Sequence, residues 1–238
     1  MRLSELTHDI PKPLALIGDK PIVWHIMKTY SHYGFNEFIL ALGYLGNKIK
    51  KYFENYEDGS VEKIGKNKIR LKFNSEEWII EFADTGEKTN TGGRVKKIQN
   101  LIKEEEFMCT YGDGLSNVNL KKLAESHKAK GKIGTITVVN PLSQFGILKI
   151  DKGVIIEFKE KPRLDHWING GFFVFNKKIF NYLNNDSVLE KEPFEKLAKE
   201  KELNAFKHEG FWECMDTFKD NTELNDLWKN GKAEWKLW

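Results

Sequence analysis

Phe107-Met108-Cys109-Thr110-Tyr111-Gly112-Asp113-Gly114 is a short apolar run that stops on a glycine–aspartate turn, and Phe211-Trp212-Glu213-Cys214-Met215-Asp216-Thr217 repeats the design far downstream. Each reads as a strand that delivers one carboxylate at its carboxyl end. In open α/β sheets that end of the strands is where ligands collect. Two carboxylates meeting there suit one Mg2+, a hard cation that takes oxygen ligands and bridges to phosphates. Aspartate and glycine also favour turns for local reasons, so either site taken alone is more often only a turn.

Outward from these runs, strand and helix signals alternate, which predicts an α/β fold with a Rossmann-like mixed sheet flanked by helices. Pro21 opens a helix whose apolar stripe is Ile22, Ile26, Met27 and Tyr30, and Gly34 stops it. Strands are expected over 38–42, 68–73, 78–82 and 133–139, with helices over 48–56 and 95–103. Asn119 caps a helix to Lys130. A hairpin is expected over 146–158 around Asp151-Lys152-Gly153. Phe172-Phe173-Val174-Phe175 is apolar enough to be buried on both faces. Helices near 177–183, 193–200 and 220–229 and a strand near 203–207 complete the chain. No linker, repeat or low-complexity segment divides it, so residues 1–238 read as one domain.

The 40% hydrophobic content suits a globular core, and 38 basic against 35 acidic residues leave only +3, which argues against nucleic-acid binding. No apolar run is long enough to span a bilayer and no signal sequence is evident, so no membrane partner is expected. Cys109 and Cys214 form no CxxC pair and read as two small buried thiols in a reducing cytoplasm; a disulfide between neighbouring strands is the minor alternative. The six histidines fit no metal or nucleophile motif. Trp228, Trp235 and Trp238 crowd the tail, where they either pack on their own domain or serve a subunit interface.

Further groups can handle phosphate. Lys12 lies between Pro11 and Pro13, which stiffen the backbone and forbid a helix there. Lys161, in Glu160-Lys161-Pro162, is a second positioned ammonium. Asn169-Gly170-Gly171 starts a strand, and its paired glycines permit close approach of a ligand. Thr91-Gly92-Gly93-Arg94 opens a helix, whose N–H groups favour an anion or a carbonyl-bearing base. Each is also ordinary turn chemistry.

In this order, Arg2-Leu3-Ser4-Glu5, Pro11-Lys12-Pro13, Gly18-Asp19-Lys20-Pro21-Ile22, Thr91-Gly92-Gly93-Arg94, Tyr111-Gly112-Asp113-Gly114, Phe145-Gly146, Glu160-Lys161-Pro162, Asn169-Gly170-Gly171 and Met215-Asp216-Thr217 resemble the sugar-1-phosphate nucleotidylyltransferases. The resemblance runs to Gly231-Lys232-Ala233-Glu234-Trp235. Pro21 to Met27 and Thr91 to Arg94 point to the cytidylyl branch.

The resemblance implies transfer from CTP to α-D-glucose 1-phosphate, giving CDP-glucose and pyrophosphate for surface polysaccharide synthesis. It implies Mg2+ on Asp113 and Asp216, and Arg2, Lys12 and Gly112 at the nucleotide phosphates. It implies Thr91, Gly92, Gly93 and Arg94 at the cytosine, with Gly93 and Arg94 reading it. Lys161 would hold the sugar phosphate, with Gly146, Glu160 and Asn169 around the hexose. A homo-oligomer is also expected. The alternatives are another base or hexose, or a non-catalytic sugar-nucleotide binder. The family pattern begins with an apolar strand and a glycine-rich loop ending Gly-Thr-Arg; here Met1 precedes Arg2, so a chain lacking that strand and loop is expected.

Overall fold

The computed structural model describes residues 10–143 and 145–238. The strands are β1 (Leu16–Ile17), β2 (Lys20–Pro21), β3 (Glu37–Leu42), β4 (Ser60–Gly65), β5 (Lys68–Phe73), β6 (Glu76–Asp84) and β7 (Glu106–Thr110). They continue with β8 (Gly114–Ser116), β9 (Gly134–Val139), β10 (Ile147–Asp151), β11 (Val154–Lys159), β12 (Ile168–Asn176), β13 (Leu203–His208) and β14 (Trp212–Cys214). The α-helices are α1 (Ile22–His32), α2 (Gly46–Glu54), α3 (Thr91–Lys97), α4 (Leu120–Lys130), α5 (Glu192–Lys199) and α6 (Phe218–Lys229).

Among the described residues the strands form two mixed four-stranded sheets, in the orders β3-β6-β5-β4 and β13-β9-β12-β7, and three two-stranded ribbons. The pairs β3–β6 and β13–β9 are parallel, and the other pairs are antiparallel. The expected mixed sheet is therefore present in two hydrogen-bonded pieces. Helix α1 lies between them. Its Ile22, Ile26 and Tyr30 pack with Leu115, Phe172, Met215 and Trp235, while Val23, Trp24 and Met27 pack with Ile69, Leu71, Trp78 and Ile80. Every residue from Ile22 to Tyr30 is consequently buried, more than the single stripe anticipated.

Strand β12 shows why an unbroken apolar run belongs in a sheet interior. Phe172 and Val174 face the α1 side, and Phe173 and Phe175 face the cluster with Phe180, Phe194 and Leu197. The expected N-cap is present: Asn119 accepts a hydrogen bond from the Lys122 N–H. The last helix starts at Phe218, earlier than expected, because Thr217 and Asp220 form a capping box. The segment 60–65, left unassigned by the sequence pattern, pairs with β5 as a mostly exposed edge strand.

The tail tryptophans pack on their own domain. Trp235 is fully buried, and its Nε1–H donates to Nδ1 of the buried His25, 3.4 Å away. His25 Nε2 in turn donates to the Ile17 carbonyl at 2.9 Å. Burial lowers the His25 pKa to about 4, so the ring is neutral, with its proton on Nε2. Its role is structural, in keeping with a sequence whose histidines fit no metal or nucleophile motif. Both cysteines are free thiols, so the disulfide alternative does not hold. No helix among the described residues is long and apolar enough to cross a membrane.

Candidate active site

The antiparallel pairing of β8 with β14 places Cys214 opposite Gly114. One step beyond, the Met215 N–H donates to the Asp113 carbonyl at 2.9 Å, with the Met215 side chain fully buried as an anchor. Asp113 and Asp216 therefore emerge side by side. The Asp220 carboxylate accepts from the N–H groups of Asp216 and Thr217 at 2.8 and 2.7 Å, which fixes Asp216 at the start of α6.

Lys12 completes the cluster. Its ammonium donates to Asp113 Oδ2 and to Asp216 Oδ1, each at 2.7 Å. The chain expected to avoid a helix here instead makes one 3-10 turn over Lys12–Leu14. Pro13 is tolerated because the opening positions of a turn need no N–H donor. Pro13 also leans on the neighbouring run: a Cβ on Gly112 would lie 3.2 Å from its ring. Burial favours the neutral amine at Lys12, but the hydrogen bonds and charges of the two aspartates outweigh it and raise the Lys12 pKa. The hydrogen bond from Lys12 likewise holds the Asp216 carboxyl below its usual range.

The donor set fits a divalent hard cation. Ligand atoms of Asp113, Cys214 and Asp216 lie within 4.8 Å of one another, and the Lys12 ammonium already occupies the cation position between the carboxylates. Burial, with the nearby carboxylates, pushes the Cys214 thiol up to about 12, so it stays a neutral, soft group and leaves the carboxylate oxygens as the donors that suit a hard cation.

A second group of predicted residues meets at the end of the parallel pair β3–β6. Arg94 donates to Thr85 Oγ1 at 2.6 Å and to the Glu87 carbonyl at 3.2 Å. Its guanidinium presses on Gly43, where a Cβ would sit 2.2 Å from a guanidinium nitrogen. Helix α3 begins at Thr91 and not at Val95, so Gly92 and Gly93 lie inside its first turn. The expectation that their N–H groups face a ligand fails for Gly93, whose N–H donates to the Ser187 carbonyl at 2.9 Å. Close packing explains these glycines: a Cβ on Gly93 would be 2.2 Å from the Asn185 carbonyl oxygen, and one on Gly92 would be 2.8 Å from Ser187 Cβ.

Asn169 donates to the Tyr111 hydroxyl at 3.0 Å and accepts from the Gly171 N–H at 2.9 Å. Gly171, at φ +78°, lets the Tyr111 ring lie on the backbone; a Cβ there would be 2.5 Å from the ring. Gly146 lies under Glu160, whose carboxylate would be 3.1 Å from a Cβ at that glycine. Lys161 is exposed and takes a left-handed φ of +44° immediately before Pro162. No hydrogen bond joins Gly146, Glu160 or Lys161 to the aspartates among the described residues. Arg2 lies outside the described residues. Glu190 and Thr85 were not legible as site residues, since neither belongs to a motif; each is found through its partner in space.

The family model for nucleotidyl transferases matches residues 1–230. The chain is 46% identical over 242 residues to the probable glucose-1-phosphate cytidylyltransferase of Bacillus subtilis (strain 168), covering 100% of this chain and 95% of that protein. It is 44% identical over 245 residues to the glucose-1-phosphate cytidylyltransferase of Salmonella typhi, with the same coverage. Among solved structures, apo UDP-glucose pyrophosphorylase superposes with a TM-score of 0.69 at 17% identity, covering 95% of this chain and 93% of that one. HddC from Yersinia pseudotuberculosis gives 0.65 at 22% identity, covering 92% and 91%. These two share the fold.

Proposed function

This chain belongs to the nucleotidyl transferase family, and we propose on that premise that it transfers the cytidylyl group of CTP to α-D-glucose 1-phosphate, giving CDP-glucose and pyrophosphate. A phosphate oxygen of the sugar attacks the α-phosphorus of CTP in line. The new P–O bond forms as the bond to the β-phosphate oxygen breaks, and that oxygen leaves as pyrophosphate. Charge spreads over the phosphoryl oxygens in such a transition state, so the protein works by positioning and by electrostatics. The Asp113–Lys12–Asp216 cluster carries this reading, because it joins two carboxylates and a cation at one sheet end.

Asp113 and Asp216 are the residues that hold Mg2+, which neutralises charge on the triphosphate when bound. Lys12, with Arg2 and the Gly112 backbone, serves the nucleotide phosphates. Lys161 grips the sugar phosphate, and Glu160, Asn169 and Gly146 bound the hexose. Arg94 reads cytosine with the guanidinium donors left over from Thr85 and Glu87, beside the segment Thr91 to Gly93.

Steady-state rates of pyrophosphate release with CTP, UTP and dTTP, each with glucose 1-phosphate, test the reading. CTP is expected to give a kcat/KM at least about tenfold above the others, and Arg94→Ala to erase most of that margin. Equal rates with all three nucleotides refute the cytidylyl assignment.

Residues 1–238 act as one domain, in a cytoplasm whose reducing conditions suit two free thiols. The product supplies surface polysaccharide synthesis. A homo-oligomer is supported by the β10–β11 hairpin, which exposes Ile150, Val154, Ile155, Ile156 and Phe158. Sedimentation is expected to show a multimer that Ile150→Lys with Ile156→Lys dissociates; an unchanged mass for the double variant refutes this role of the hairpin.

A further inference from the structure

We infer that Glu190 is a positioning residue that couples the nucleotide-base side of the site to its hexose side. The inference rests on the assignment of Thr91–Arg94 to the base and Asn169 to the sugar.

Both oxygens of this one carboxylate are committed, and to different parts of the site. Oε2 accepts from the Thr91 hydroxyl at 2.7 Å, at the start of α3. Oε1 accepts from the Tyr111 hydroxyl, one residue before Gly112 and two before Asp113. Each hydroxyl is itself committed in the other direction. Thr91 Oγ1 accepts from the Leu189 N–H at 3.0 Å, and the Tyr111 oxygen accepts from the Asn169 amide at 3.0 Å. Asn169 cannot flip freely, because its Oδ1 holds the Gly171 N–H. Every proton in the chain Asn169–Tyr111–Glu190–Thr91 therefore points toward Glu190.

Only a group that accepts at both of its ends satisfies this arrangement. A carboxylate does so, and a primary amide does not. In Glu190→Gln one end becomes a donor. Either Thr91 or Tyr111 then loses its acceptor, and a reversed Tyr111 hydroxyl meets the Asn169 donor head-on. The mismatch passes to the hexose side in one direction and to the base loop in the other. Glu190 is held for this task by its fully buried neighbour Leu189 and by the backbone of residues 185–189, on which Gly92 and Gly93 pack.

The test measures ligand affinity without turnover. Calorimetric Kd values for CTP alone and for glucose 1-phosphate alone are compared in wild type, Glu190→Gln, Thr91→Val, Tyr111→Phe and the double variant Thr91→Val with Tyr111→Phe. Glu190→Gln is expected to weaken both ligands about tenfold, as for loss of a hydrogen bond to a charged group. Tyr111→Phe and Thr91→Val are each expected to weaken both ligands several-fold, Tyr111→Phe reaching CTP and Thr91→Val reaching glucose 1-phosphate through Glu190. The double variant should fall well short of the product of the two single effects, because both act through one carboxylate. In steady state, Glu190→Gln should raise KM for both substrates by a larger factor than it lowers kcat.

Multiplicative effects of the two hydroxyl variants overturn the inference, as does a Glu190→Gln protein that melts earlier yet binds both ligands normally. If Glu190→Gln fails to fold, the hydroxyl variants decide alone. The underlying site assignment fails separately: Arg94→Ala would then leave CTP affinity intact, while the Thr91–Tyr111 cycle still reports whether Glu190 couples the two segments.

Discussion

Asp113→Asn is expected to lower kcat by at least about a thousandfold while the melting temperature stays within a few degrees of wild type. At this residue the proposed metal role belongs to the side chain and the fold rests on the backbone. The Asp113 carbonyl accepts from the Met215 N–H, and that link does not depend on the carboxylate. Asparagine keeps the volume but loses the charge that both a divalent cation and the Lys12 ammonium require. Asp216→Asn should behave alike, because the Asp220 carboxylate fixes its backbone. Single-turnover pyrophosphate release with saturating Mg2+, beside a thermal melt, separates the two effects. Near-normal turnover in both variants refutes the metal assignment.

Lys12→Gln is expected to move turnover and metal affinity in opposite directions. Turnover should fall by about two to three orders of magnitude, since the cation proposed for the nucleotide phosphates is lost. Affinity for Mn2+ without nucleotide should rise several-fold. The ammonium sits 2.7 Å from each carboxylate, so an entering cation must displace it, and the affinity for that cation is reduced by the competition. Titration of free Mn2+ by electron paramagnetic resonance reads this without catalysis. Unchanged or weaker binding in the variant would show that Lys12 does not compete for the carboxylates.

The elements most legible in the sequence were those whose own residues decide them. The Phe172–Phe175 run, the Asn119 cap and the Asp151-Lys152-Gly153 hairpin each carry a local signal strong enough to survive packing. Boundaries moved where a distant partner intervened. Helix α3 starts four residues before its apolar periodicity begins, because Gly92 and Gly93 pack on the backbone of residues 185–189. The meeting of Asp113 and Asp216 was legible in two strand-end aspartates, but their contact depends on the β8–β14 register, which no local pattern encodes, and nothing in the sequence placed the Lys12 ammonium between them. Glu190 shows the opposite case. It sits among Leu189, Lys191 and Glu192 as one more charge, and only its two hydroxyl partners distinguish it.

The left-handed backbone at Lys161 sets stability against the proposed phosphate grip at one position. A side chain in that region costs about 1 kcal/mol that glycine does not incur, and the following proline restricts the residue further. A library ranked by heat resistance alone therefore rewards glycine here and discards the ammonium. The same substitution removes the ammonium proposed above for the sugar phosphate, so durability and turnover pull in opposite directions at this residue.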